Sequence, residues 1–125
     1  MTEAQKKELK TDKDGLLTYE YIANNIDTCL DDMDFLVDNM IEADATGQFL
    51  VSAARYLNAI DPTTYAGHIS RLVESAIDKD RERRYLGDLL SDLYGADYRE
   101  HADELTRKDN NFRRIYKRLF PTSGI

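Results

Sequence analysis

The chain has one cysteine, Cys29, so no disulfide can close within it, and a reducing compartment is the simplest setting. No apolar stretch approaches the ~20 residues of a membrane span. The opening segment MTEAQKKELKTDKDG lacks the apolar run of a signal peptide. These absences predict a cytoplasmic protein without membrane contact. The six glycines are all isolated, which excludes a glycine-rich phosphate loop. His68 and His101 stand 33 residues apart, neither in an H-E-x-x-H or E-x-x-H arrangement, and Cys29 has no neighbouring base in sequence. Catalysis, a cofactor and a bound metal are therefore not expected.

What is present is ordinary globular composition, 42% apolar and 33% charged over 125 residues, enough for one self-sufficient domain. Residues 1–14 are polar and aperiodic and read as a flexible lead-in, 15–121 as a single all-α domain, and 122–125 as a tail. Tyr19, Ile22, Ile26, Leu30, Met33, Val37 and Met40 recur every three or four residues and predict a first helix over 18–43 with Thr18 as its N-cap. Thr46 and Gly47 interrupt the pattern before a second helix carried by Phe49, Leu50, Ala53, Tyr56, Leu57 and Ile60. Asp61 and Pro62 open a third, Asp80 to Tyr94 forms a fourth ended by Gly95, and Asp97 caps a fifth that breaks near 108–111. Phe112, Ile115, Tyr116, Leu119 and Phe120 mark a last helix stopped by Pro121. The expectation is five to six helices in an antiparallel bundle or a short stack of helical hairpins.

A repeat at a spacing of 33 residues bears on that choice: Tyr65, His68 and Leu72 match Tyr98, His101 and Leu105. Stacked hairpin arrays use such periods, but two leucine-rich helices of similar length also match by chance, so both architectures stay open.

Asp12, Asp14, Gly15, Leu17 and Thr18 resemble the middle of an EF-hand calcium loop, with Gly15 at the sharp turn. In that register Lys10 stands where the first carboxylate belongs and Tyr21 where the bidentate glutamate belongs, while Glu20 falls one residue early. The resemblance thus implies a loop without its first and last ligands, and a polar turn is expected instead of a calcium site.

The charge pattern is the strongest functional lead. Between Gly15 and Ala54 there are eight acidic side chains and no Lys or Arg. On one helix Glu20, Asp27, Asp31, Asp34, Asp38 and Glu42 would fall within about 80° of one another. Like charges at this spacing repel, so a helix does not keep such a stripe for its own stability. The C-terminal stretch Arg107, Lys108, Arg113, Arg114, Lys117 and Arg118 is as basic, opposed only by Asp109. Either the two faces neutralise each other or one meets another molecule. The expected function is a small non-enzymatic helical module that binds another protein through the acidic stripe or through Arg113, Arg114, Lys117 and Arg118. The alternative is an acidic mimic of nucleic acid, since 27–42 would span roughly 22 Å as one helix. The net charge of −7 speaks against direct nucleic-acid binding.

Overall fold

The computed structural model describes residues 1–121, and among these every regular element is helical. Eight α-helices are present: α1 (Glu3–Leu9), α2 (Leu16–Asn24), α3 (Met33–Ala43), α4 (Gln48–Ile60), α5 (Ala66–Lys79), α6 (Gly87–Tyr94), α7 (Ala102–Lys108) and α8 (Asn110–Leu119). Short 3-10 turns cover Leu30–Asp32 and Tyr98–His101. The all-helical expectation holds, but the number of helices corrects the five to six read from periodicity.

Two differences account for the correction. The helix expected over 18–43 breaks after Asn24, because the Asn25 side-chain amide donates to Tyr21 O at 2.9 Å and closes α2 from within. Side chains of this kind compete with the helical ladder, and Asn24, Asn25, Asp27 and Thr28 follow in close succession. The segment 1–14, expected to be a flexible lead-in, contains α1. A reciprocal capping box between Thr2 and Gln5 starts that helix, and Leu9 enters the core. One apolar contact leaves no periodicity to read. The expected tail 122–125 lies outside the described residues.

In chain order the helices form four successive helix–loop–helix units, α1–α2, α3–α4, α5–α6 and α7–α8, called hairpins below, although the packing is mainly between units. Packing runs α2 on α4, α4 on α6 and α6 on α8 in one layer and α3 on α5 in the other, with the broadest contact between α4 and α5. Ile22, Met33, Leu36, Met40, Leu57, Leu72, Leu89 and Phe112 are fully buried along this stack. Each such side chain contributes about 1.5–3 kcal/mol. At the C-terminal end Phe112 meets the Tyr94 ring edge-on at 5.0 Å and stacks on Tyr116 at 5.3 Å.

A spine of aspartates joins the first three hairpins. Asp12, Asp44 and Asp80 each follow the first helix of a hairpin, and each carboxylate collects backbone N–H groups at the start of the second. Asp44 Oδ1 accepts from Thr46 N and Gly47 N at 3.0 and 2.8 Å, and its Oδ2 from Phe49 N and Leu50 N at 2.9 and 3.0 Å. Asp80 accepts from Arg84 N, Tyr85 N and Leu86 N at 2.8–2.9 Å. It thereby holds 80–86 as a loop, so the helix expected from Asp80 begins instead at Gly87. Asp12 accepts from Gly15 N at 2.9 Å and from both the N–H and hydroxyl of Thr18, at 2.9 and 2.6 Å. Gly15, not Thr18, therefore occupies the N-cap of α2, and Thr18 is buried in its first turn. These carboxylates satisfy the orphan donors that a helix N-terminus leaves.

Three residues after each aspartate the backbone turns to positive φ, at Gly15 (98°), Gly47 (89°) and Arg83 (59°). A second set of contacts runs backwards between hairpins. Asn39 Nδ2 donates to Leu9 O at 2.8 Å, Lys79 Nζ donates to Ile41 O and to Asp44 O, and Arg118 Nη1 donates to Ile77 O and Asp80 O. The last carbonyls of α1, α3 and α5 are thus capped by side chains of later helices.

Candidate interaction surfaces

The fold disperses the acidic stripe. Glu20 lies on α2, Asp27 in the α2–α3 connection, Asp31 in the 3-10 turn, and Asp34, Asp38 and Glu42 on α3. All six are exposed. The break over 25–32 removes the continuous helix on which they would form one line, so 27–42 is not a single helix of roughly 22 Å.

Nor does the C-terminal helix face them. Asp34 Oδ1 lies 2.9 Å from His68 Nε2, and Asp38 pairs with Arg71, both on α5. Lys10 and Lys13 share a surface recess with Glu42. Lys6 and Lys10 lie over the Phe35 ring of α3 at 5.5 and 5.6 Å. The partners of the acidic region thus come from α5, through His68 and Arg71, with Lys10 and Lys13 beside Glu42. Exposed pairs of this type contribute at most about 1 kcal/mol each.

The basic residues of α8 divide into two groups. Arg114 pairs with Asp78 at 2.7 Å, and Arg118 caps the end of α5 as described, so both are half-buried and structural. Arg113 and Lys117 are exposed, and among the described residues the Arg113 guanidinium bonds only to Asn110 within its own first turn. Next to them the fold sets a second basic segment, Lys79 to Arg84, on the α5–α6 loop. Arg83 Nη1 donates to Arg118 O at 3.1 Å, which joins the two segments physically.

Arg81, Arg83 and Arg84 are exposed, and Arg84 pairs with Glu82 at 2.7 Å. Thr46, Lys79, Arg81, Arg84 and Tyr85, together with the carboxylates of Asp80 and Glu82, line a cleft of about 290 Å³ beside this surface. Burial pushes the Lys79 ammonium below its ordinary pKa, and Asp44 opposes that shift. The sequence reading missed Arg81, Arg83 and Arg84, since a charged run inside a helical pattern reads as a solvated face. The three arginines within four positions were the available signal.

Other chemically capable groups are already engaged. Both carboxylate oxygens of Asp12 are taken by the backbone and Thr18, and Asp14 Oδ1 accepts from Leu16 N at 3.0 Å. The EF-hand-like segment is thus a helix-capping turn. Cys29 is buried, and burial raises its thiol pKa. Asp97, Glu100 and His101 bring ligand-capable atoms within 4.8 Å of one another, all on exposed side chains, and His101 Nε2 already lies 3.2 Å from Asp97 Oδ2.

No helix among the described residues is long and apolar enough to cross a membrane. No family model, no curated protein and no solved structure matches this chain.

Proposed function

We propose that this protein is a small non-enzymatic helical module that binds another protein, and that the basic surface shared by α8 and the α5–α6 loop carries the binding. One observation supports this choice over the acidic face. Two basic segments more than thirty residues apart in sequence are joined through the Arg83 to Arg118 hydrogen bond, leaving Arg81, Arg113 and Lys117 exposed. Among the described residues no carboxylate pairs with these three in the manner of Asp78 with Arg114. In the acidic region, by contrast, Asp34 and Asp38 already face His68 and Arg71 of α5, and Lys10 and Lys13 lie beside Glu42. Charge at such a surface speeds encounter and sets specificity, and the aliphatic stems of the arginines and lysines add apolar area.

The test is capture from the native source with the wild type and with the double variants Arg81→Glu/Lys117→Glu and Asp27→Lys/Asp31→Lys. Loss of the same partner with the first variant only is the expected result. Loss with the second variant only would move the binding face to the acidic side.

A further inference from the structure

Resting on the assignment of binding to this surface, we infer that its ligand is a carboxylate-rich peptide segment of the partner. The surface already takes carboxylates of its own chain. Asp78 meets Arg114 and Glu82 meets Arg84, each at 2.7 Å, while Arg81, Arg83 and Lys117 beside them remain exposed. A guanidinium presents a planar fork of donors that matches a carboxylate or a phosphate, and it is the carboxylates of Asp78 and Glu82 already held here that point to acidic side chains. The adjoining cleft of about 290 Å³ adds the Tyr85 ring and the Thr46 hydroxyl at its wall, room for a side chain between charged anchors.

Charge elsewhere on the molecule narrows the class further. The chain carries a net −7, with exposed carboxylates on α2, α3 and their connection. An extended polyanion such as duplex DNA, or a flat anionic membrane, would bring charge near those carboxylates as well as near the patch. A short peptide presents less charge to those carboxylates than an extended polyanion or a charged sheet does.

The experiment is fluorescence anisotropy with a labelled Glu-rich peptide, compared with duplex DNA and with phosphatidylserine-containing vesicles under the same buffer. Saturable binding of the peptide is expected, weakening as salt rises and falling about tenfold or more in Arg81→Glu/Lys117→Glu. Asp27→Asn/Asp31→Asn should bind the peptide as well as wild type. Tighter binding to DNA or vesicles than to the peptide overturns the inference. So does concentration-dependent dimerisation in sedimentation that the same charge reversal abolishes, because the occupant would then be a second copy. If the peptide fails to bind while the charge-reversed variant still loses its native partner, the face stands and the carboxylate ligand is wrong. If the variant keeps its partner, the face itself is wrong.

Discussion

Gly15 lies directly against Asp44: a Cβ built on this glycine would stand 3.1 Å from the Asp44 Cβ and 3.2 Å from that of Phe49. Gly47 stands in the same relation to Asp80, at a looser 3.4 Å. Gly15 and Gly47 thus each pack on the aspartate that organises the next hairpin.

Gly15→Ala combines a left-handed backbone with crowding and should cost about 1–3 kcal/mol. Gly47→Ala meets the same backbone penalty with more room, so its cost should be smaller. Arg83→Gly relieves the strain of a left-handed arginine but frees the unfolded chain, so its effect should lie within about 1 kcal/mol of zero. Urea denaturation of the three variants gives the ranking, and an equal loss for both alanines would refute the packing argument.

Removing the Asp80 carboxylate strands the backbone N–H groups of Arg84, Tyr85 and Leu86. Asp80→Ala should therefore destabilise by about 1–3 kcal/mol, since the Leu86 N–H is left buried and unsatisfied while the Arg84 and Tyr85 N–H groups lie nearer to water. Thermal melting reads the loss directly. A change below about 1 kcal/mol would mean the loop is held by other contacts.

The Asp12 carboxyl is pushed up by partial burial, but the hydrogen bonds from Thr18, Gly15 and Asp14 outweigh this and hold it below its ordinary value. A depressed carboxyl stabilises the fold above its unfolded pKa, near 3.9, and the contribution is lost as pH falls through the folded value. Stability measured against pH should fall in that acid range, and Asp12→Asn should flatten this limb. An unchanged acid limb would assign the pH dependence to other groups.

Cys29 should react slowly with a thiol reagent under native conditions, because the side chain is buried and its thiol pKa is raised by that burial. Denaturant should speed the reaction to that of a free thiol. Rapid labelling of the native protein would show that the α2–α3 connection opens readily.

Asp27→Asn/Asp31→Asn should change stability by less than about 0.5 kcal/mol, as exposed surface changes usually do. Asp38→Asn should lose up to about 1 kcal/mol, because Asp38 pairs with Arg71. A double-mutant cycle between Asp38 and Arg71 isolates that term, and a vanishing coupling energy would leave the pair without energetic weight.

Periodicity made α4, α5 and α8 legible, because Leu50 and Leu57, Leu72 and Ile77, and Phe112 and Ile115 repeat the burial of one face. Local chemistry marked the stops at Gly47, Gly95 and Asp109. The interruption over 25–32 stayed hidden because Ile26, Leu30 and Met33 carry the apolar spacing through the break in sequence, although Leu30 is exposed and Cys29 beside it is the buried residue. The aspartate spine was hidden for another reason. Asp12, Asp44 and Asp80 are 32 and 36 residues apart, and the third copy carries Arg83 where the others carry glycine. An uneven spacing with a substituted member does not register as a period. The 33-residue match sets Tyr65 and His68 at the start of α5 but Tyr98 and His101 in the 3-10 turn before α7. The basic surface needed the fold, since only the return of α8 onto the end of α5 joins Arg83 to Arg118.

The caps supplied by Asn39, Lys79 and Arg118 all point toward the N-terminus, which gives the stack a polarity. A hairpin emerging early in synthesis lacks the partner for its own last carbonyls until the next segment arrives, so its first helix should fray at that end while it waits. Peeling the final hairpin away would loosen the end of α5 in the same fashion, whereas detaching α1 would leave every later carbonyl cap in place. Amide exchange should accordingly creep inward from the C-terminal side, a vectorial dependence that the near-repetitive helices alone would not impose.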